Sequence, residues 1–558
     1  MMYRVFNTMN FWVALLSVIS LVWYHGYGHA SNNHLLHEYW LVFAMGYFTI
    51  QFAYRAKRSL DAIGFLQSNW LETSLYVILF AFLGAVALSR IGAFGAESGM
   101  SAGMQRLSAH LFLLLISGVE MIAATSRSTV WKLPMPVLLI TSYIIIILAG
   151  SVVLSLPMMV HDHVGSDYFQ ALFTSVSASC VTGLVTVNIS EYYTTTGQAV
   201  ILILMQLGGL NIVAFATYFI ARFSNVDRET LHGEAVKEVL SVDTFSGAKK
   251  LLQRVIGAAL TIELLGVTSI YYFSNYLPHS FERAFHSAFH SVSAFNNAGF
   301  TIIDGGLVNS QVQSLWPLHM SIATLIILGG LGFATLIQIG RRFAWKGNSE
   351  EMSFNTKVSL RMAGLLTVFG LLIFLMAEWD GNRPVFEQLG HAFFQSVTAR
   401  TAGFNTLPIG GLGTVSLVLL MVLMFIGASP GSTGGGIKTT TLYALFTKLV
   451  GRESSVGKHA IRKALNVVTV GFAVVSIGTA LIFFNEDGIT FEQILFEQVS
   501  AFGTVGLSTG ITPQLGKTSL SVLMVSMFIG RVGPLAIAYS FLGTTNLETT
   551  DEETLLIG

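Results

Sequence analysis

Four glycines close four copies of one short pattern, and the pattern is the part of this chain with chemical meaning. Val176-Ser177-Ala178-Ser179-Cys180-Val181-Thr182-Gly183-Leu184 returns as Val292-Ser293-Ala294-Phe295-Asn296-Asn297-Ala298-Gly299-Phe300. It returns again as Val397-Thr398-Ala399-Arg400-Thr401-Ala402-Gly403-Phe404, one residue shorter, and as Val499-Ser500-Ala501-Phe502-Gly503-Thr504-Val505-Gly506-Leu507. Gly183 and Gly299 are 116 positions apart, Gly299 and Gly403 104, and Gly403 and Gly506 103. A cation leaving water needs oxygen ligands in place of its hydration shell, and converging backbone carbonyls supply them. Carbonyls that point inward in succession require dihedrals that only glycine adopts without cost. A filter of this kind would use Val181, Thr182 and Gly183, then Asn297, Ala298 and Gly299, then Thr401, Ala402 and Gly403, then Thr504, Val505 and Gly506, with the ion at the four glycines. One Gly-Leu or Gly-Phe pair alone would be ordinary helix packing through a small residue. Four in register are not.

The elements that must position these residues follow from hydropathy. From Leu133 onward each unit is a long apolar helix, a short half-apolar segment ending in the glycine, and a second long apolar helix, over about 133–230, 248–345, 355–450 and 463–545. Counted back from their glycines to Phe169, Phe281, Phe386 and Phe491, the short segments hold roughly half of the ~20 residues a crossing helix needs, so they are re-entrant. Irregular backbone at membrane depth is tolerated only where it is buried or lines a watery cavity. A second register, Gly208, Gly329, Gly427 and Gly530, lies 24 to 30 positions beyond the first. Upstream, four further spans at about 10–27, 38–55, 70–93 and 106–126 form a separate domain, 1–132.

Composition agrees with a bilayer as solvent: 53% of the 558 residues are hydrophobic and 11% charged, far from a soluble chain. Thirty basic and thirty acidic residues cancel, which gives no footing to a nucleic-acid partner. The single cysteine, Cys180, excludes a disulfide framework and is expected to be a small buried residue beside the filter. Arg4 followed by apolar Phe11–Tyr24 has the outline of a secretory signal; with no clean cleavage site and more spans behind it, it is taken as a retained helix. Lys and Arg gather between units, at Arg222, Arg228, Lys237, Lys249, Lys250 and Arg254, at Arg341, Arg342, Lys346, Lys357 and Arg361, and at Lys448, Arg452, Lys458, Arg462 and Lys463. Arg55, Lys57 and Arg58, with Arg127 and Lys132, continue the alternation. Since such loops stay inside, twelve crossings of the cell membrane with both termini cytoplasmic are expected.

With these four motifs in order, residues 133–558 resemble the Trk/Ktr/HKT superfamily of potassium transporters, most nearly its KtrB-type membrane subunit. The resemblance implies an all-α integral membrane fold, four helix–re-entrant helix–helix repeats around one pore, preceded here by the four-helix domain. It implies K+ as the ion, since the first repeat carries glycine where serine goes with sodium, and it leaves a place for Na+ as activator. A homodimer and a cytoplasmic nucleotide-sensing regulatory ring are the implied partners, and Leu555-Leu556-Ile557-Gly558 resembles a tail that joins the dimer contact. The run Gly427-Ala428-Ser429-Pro430-Gly431-Ser432-Thr433-Gly434-Gly435-Gly436, with Lys438 after it, cannot stay helical. It is a kink, or the intramembrane gate the resemblance places there. A phosphate-binding loop is excluded, because Ile437 separates the last glycine from Lys438 and no strand precedes it. Arg531, roughly 20 Å into its helix, should face the pore or a carbonyl cluster; it resembles the family's pore arginine, and a structural ion pair with Glu263 is the alternative.

Other candidates carry less. His286 and His290 are one turn apart and could chelate a metal, although no third ligand is evident and packing explains them. His25, His29, His34 and His37 fall in an external loop, solvated or metal-binding. Tyr47-Phe48 through Arg55, then Phe65 to Glu72, resemble parts of a voltage sensor, yet Ala109–Thr125 lacks the arginines a sensor helix needs; a scaffold or docking role is expected. A sodium-coupled or sodium-selective carrier is the rival reading. An intramembrane enzyme would need a dyad or metal cluster, and the spans offer none, so the chain is not expected to be an enzyme or to hold a cofactor.

Overall fold

The computed structural model describes residues 2–27, 34–59, parts of 61–120, 135–223, 248–278, 280–344, 352–451 and 457–533. The third and fourth N-terminal spans lie largely outside the described residues, as do Arg228, Lys237 and the C-terminal tail. The chain divides into two compact units, 1–133 with 156–158, and 134–155 with 159–558.

The smaller unit contains α1 (Met2–Tyr27) and α2 (His34–Arg58). Its interior is polar at two levels. Arg55 donates to Glu72 and, at 2.7 Å, to Glu120; Asn10 donates to Glu120 at 2.8 Å and accepts from Tyr47 and Gln51. Nearer the other helix end, His110 is bonded on one side to His25 (3.0 Å) and on the other to His37 (3.1 Å). This corrects the expectation of a loop cluster: His25 lies in the last turn of α1, His34 begins α2 and His37 lies in its first turn, and the buried His37 and His110 rings pair with one another. His29 lies outside the described residues.

The larger unit is all-helical and repeats one arrangement four times. The first comprises α3 (Met135–Leu154), short α4 (Tyr168–Ser179) and α5 (Thr195–Phe223). Next come α6 (Ala248–Phe273), short α7 (Phe281–Phe295) and the pair α8 (Trp316–Gly330) and α9 (Phe333–Ala344). The third has α10 (Phe354–Ala377), short α11 (Val385–Thr398), then α12 (Thr414–Phe425) and α13 (Thr439–Leu449). The fourth has α14 (Lys458–Asn485), short α15 (Phe491–Gly503) and α16 (Lys517–Val532). Among the described residues, Met9–Tyr27, Gln253–Phe273, Phe354–Ala377 and Ala460–Asn485 are long and apolar enough to cross a membrane, α8 and α9 are so only as a pair bent by 105°, a broken span or a re-entrant loop, and Leu139–Leu154, Thr195–Leu210 and Thr414–Phe425 are shorter apolar helices.

Each short helix is seated by one device. A glycine in the preceding long helix, Gly150, Gly266, Gly370 or Gly478, leaves room for a polar side chain of the short helix, Ser175, Ser291, Ser396 or Gln498, where a Cβ would fall within 2.6 Å of it. That side chain bonds a carbonyl of the same long helix: Ile147 (2.7 Å), Glu263 (2.6 Å), Thr367 (2.8 Å) and Val474 (3.4 Å). A helix freed of Cβ contact packs at short distance, and the hydroxyl or amide fixes the register along it. The starts are capped differently. Asp167 accepts from Phe169 N, and Thr490 with Gln493 forms a capping box, which satisfies orphan N–H groups at the helix start.

Candidate functional site

The four short helices deliver their following strands to one closed ring. A Cβ on Gly183 would lie 2.5 Å from the Ala298 carbonyl oxygen and 3.1 Å from the Gly299 Cα. One on Gly299 would meet Ala402 O at 2.6 Å and Gly403 Cα at 3.1 Å; one on Gly403, Val505 O at 2.3 Å and Gly506 Cα at 3.1 Å. Gly506 closes the circuit on Thr182 O at 2.1 Å and Gly183 Cα at 3.1 Å. Every glycine is thus pressed against the next strand, and no side chain fits between strands.

Backbone conformation repeats with the same symmetry. Five non-glycine residues among the described ones have positive φ, and four of them are Val181 (58°), Asn297 (57°), Thr401 (74°) and Thr504 (49°), each two positions before its ring glycine; Gly183, Gly299, Gly403 and Gly506 are at 71–93°. A β-branched residue in the left-handed region is a costly exception that persists only where surroundings over-determine it. Here they do. The buried hydroxyls of the short helices hold each strand from behind: Gly183 N donates to Ser177 Oγ (3.1 Å), Ser293 Oγ to Phe300 O (2.7 Å), Thr398 Oγ1 to Phe404 O (2.6 Å), and Gly506 N to Ser500 Oγ (3.1 Å). The C-terminal ends of the four short helices lead into the strands, so the negative ends of their dipoles favour a cation at the ring.

The second glycine register has its own reason. Cβ atoms on Gly208, Gly329 and Gly530 would lie 1.8–2.0 Å from the carbonyl oxygens of Ser179, Phe295 and Phe502, at the ends of the short helices. In the third unit Gly427 instead meets Gly435 O at 2.2 Å, because the helix has ended and a loop has begun.

That loop, between α12 and α13, doubles back on itself: Gly427 N donates to Ile437 O at 2.8 Å. It is fastened to all four units. Thr433 Oγ1 donates to Phe295 O and Gly329 O, both at 3.1 Å. Gly435 N donates to Thr504 Oγ1 (3.1 Å) and Gly436 N to Gly530 O (3.2 Å). A Cβ on Gly434 would fall 2.1 Å from Thr401 Oγ1. Lys438 Nζ turns back to Gly434 O at 2.6 Å, and Ser429 N donates to Gly330 O at 3.0 Å. Arg531 ties in the first unit. It is buried, donates to Thr433 O, to Gly208 O (2.6 Å) and to Gly209 O (3.4 Å), and its Nε donates to Tyr143 Oη at 3.0 Å. The alternative ion pair with Glu263 is not formed; Glu263 accepts from Gln206 (3.2 Å) and Asn296 (3.1 Å).

Sequence reasoning missed the break between α8 and α9. Gly332 has φ 87°, and a Cβ there would lie 2.4 Å from Pro430 O, while Phe333 N donates to Gly431 O at 3.0 Å. The second unit's helix bends to admit the third unit's loop. The glycine triplet around it, Gly329, Gly330 and Gly332, was the available signal. His286 and His290 resolve toward packing: the two ring nitrogens of His290 meet His286 O (2.7 Å) and Thr301 Oγ1 (2.9 Å), and no three-ligand cluster occurs among the described residues. Cys180 is fully buried and unbridged.

An all-helical membrane protein with four short helices converging on a glycine ring is built like an ion-translocating protein. Residues 103–544 match the TrkH family, described as cation transport protein. Ktr system potassium uptake protein B of Bacillus subtilis is 33% identical over 442 residues, 75% of this chain and 96% of that protein. Potassium/sodium uptake protein NtpJ of Enterococcus hirae is 32% identical over 449 residues, 76% of this chain and 97% of that one. The crystal structure of the potassium transporter TrkH from Vibrio parahaemolyticus superposes with a TM-score of 0.61 at 15% identity, over 84% of this chain and 97% of that one, a likeness of fold. The chain belongs to the TrkH/Ktr family of cation transporters. It is a multi-pass membrane transporter and not an enzyme.

Proposed function

We propose that this protein takes up potassium through the ring of Gly183, Gly299, Gly403 and Gly506. The observation that carries the reading is the cyclic closure of that ring, each glycine backed against the next strand's carbonyl, which leaves inward backbone oxygens as the ligands able to replace a hydration shell. Potassium is the ion named for the Bacillus relative. Loop 427–436 with Lys438 is the gate, fastened to all four units in this state, and Arg531 is both its anchor and the pore's fixed positive charge. Arg341 and Arg342 at the end of α9 and Lys448 at the end of α13 support a cytoplasmic face at the joints between units, and with it twelve crossings and both termini inside. The N-terminal domain, 1–132, is a scaffold or docking module. The relatives are named as members of a Ktr system, which supports a regulatory partner; that partner is proposed to be a cytoplasmic nucleotide-binding ring, working with a homodimer of this chain. Sodium is the second reading, favoured by the potassium/sodium name of the Enterococcus relative.

Expression in a bacterium lacking its own potassium uptake tests the proposal. Growth at limiting potassium should be restored, with a partner ring co-expressed where the chain alone does not suffice. Absence of rescue with both present, despite verified insertion, contradicts potassium uptake, and rescue of sodium accumulation alone selects the second reading.

A further inference from the structure

The position two residues before the shared valine is polar in all four short helices: Thr174, His290, Gln395 and Glu497. In three units it faces the chain that follows the ring strand. Thr174 Oγ1 accepts from Tyr193 Oη at 3.2 Å and His290 Nε2 pairs with Thr301 Oγ1 at 2.9 Å, whereas the buried amide of Gln395 has no hydrogen-bond partner among the described residues. Glu497 is the ionisable acid of the set, fully buried and without an ion-pair partner among the described residues. Its Oε1 accepts from Ser508 Oγ (2.6 Å), Thr509 N (2.9 Å) and Thr509 Oγ1 (3.2 Å), and its Oε2 from Thr512 Oγ1 (2.9 Å). Ser508 in turn accepts from Gly510 N at 2.9 Å. A buried carboxyl group whose two oxygens accept four hydrogen bonds is fixed in place by them, and a network this fully satisfied is rigid.

We infer that Glu497 is a specificity-positioning residue, a brace that fixes the outer end of the fourth ring strand through Ser508–Thr512. The strand from Thr504 to Leu507 is then clamped at both ends. Ser500 holds it behind Val505 N (2.9 Å) and Gly506 N (3.1 Å), and Glu497 holds the loop beyond it. At that place the first two strands have one such bond each and the third has none among the described residues. Because the inference rests on the ring being the ion path, its test must tell the two apart.

Rubidium uptake into proteoliposomes, with sodium as competitor, does so for wild type, Glu497→Gln, Glu497→Asp and the pair Ser508→Ala with Thr512→Val. Glutamine keeps one acceptor oxygen and puts a donor against Thr512. It should raise half-saturating rubidium about tenfold or more and narrow the preference over sodium, with the maximal rate within about twofold, a pattern that loss of folded protein alone does not give. Aspartate should recover part of the preference, and the double substitution, which leaves the carboxyl group but removes two donors, should narrow it as well. Unchanged half-saturation and preference in Glu497→Gln at wild-type membrane levels overturns the inference. If that variant is not made, unchanged preference in the double substitution does so. No rubidium uptake by wild type removes the pore reading and this inference with it.

Discussion

Gly299→Ser is expected to abolish selective potassium uptake while leaving the protein in the membrane. The added Cβ falls 2.6 Å from the Ala402 carbonyl oxygen, and the residue sits at φ 71°, where a side chain costs about 1–2 kcal/mol in backbone energy alone. The strand cannot retreat, because Ser293 holds Phe300 O and the Asn297 amide pairs with the Thr401 hydroxyl at 3.0 Å. Relief comes through rotation of the Ala402 carbonyl, one of the oxygens that would face the ion. A loss of preference for potassium over sodium of about tenfold or more, equivalent to about 1.4 kcal/mol, should follow. Gly364→Ala, a helix position with open space around it, is the matched control and should transport normally. Equal ion preference in Gly299→Ser and Gly364→Ala would exclude the ring from selection.

Arg531→Gln should have the opposite sign on rate. Arg531 links the loop at Thr433 O to the first unit at Gly208 O and to Tyr143, and charge-assisted bonds of this kind contribute about 2 kcal/mol each. Without them the loop keeps Thr433 Oγ1, Gly435 N and Gly436 N as tethers, so it is loosened and not lost. On the proposed ion path, removing this positive charge also lowers the barrier to a cation. Maximal rubidium flux should rise severalfold, the thermal unfolding temperature in detergent should fall, and ion preference should persist because the ring is untouched. Thr433→Val should shift flux in the same direction by less. A drop in flux from correctly inserted Arg531→Gln would mean that the arginine supports the path and does not obstruct it.

The repeating parts of this architecture are legible in the sequence because four copies average out accident. The short helices end at Ser179, Phe295, Thr398 and Gly503, three to five residues before the glycines that close the short segments in the sequence reading, and the interruption after Phe425 follows from Gly and Pro as poor helix formers. Tertiary features are not legible in the same way. Val181 takes a left-handed conformation against its own preference, since the ring imposes it. The break at Leu331–Gly332 is hidden because hydropathy runs smoothly across it, and its cause, Pro430, lies in another unit. Gly150, Gly266 and Gly370 recur at one spacing before their ring glycines, a signal available in the sequence yet inseparable from ordinary small-residue packing until the partner serines are seen. The Arg55–Glu72–Glu120 and His25–His37–His110 groupings join helices far apart in sequence and have no periodicity to betray them.

The most direct measurement is anomalous scattering from crystals of the protein grown in rubidium. A rubidium peak is expected enclosed by the strands of Gly183, Gly299, Gly403 and Gly506, and is expected to be lost in Gly299→Ser crystals. Rubidium density elsewhere in the membrane-embedded part, with the ring empty, would contradict it.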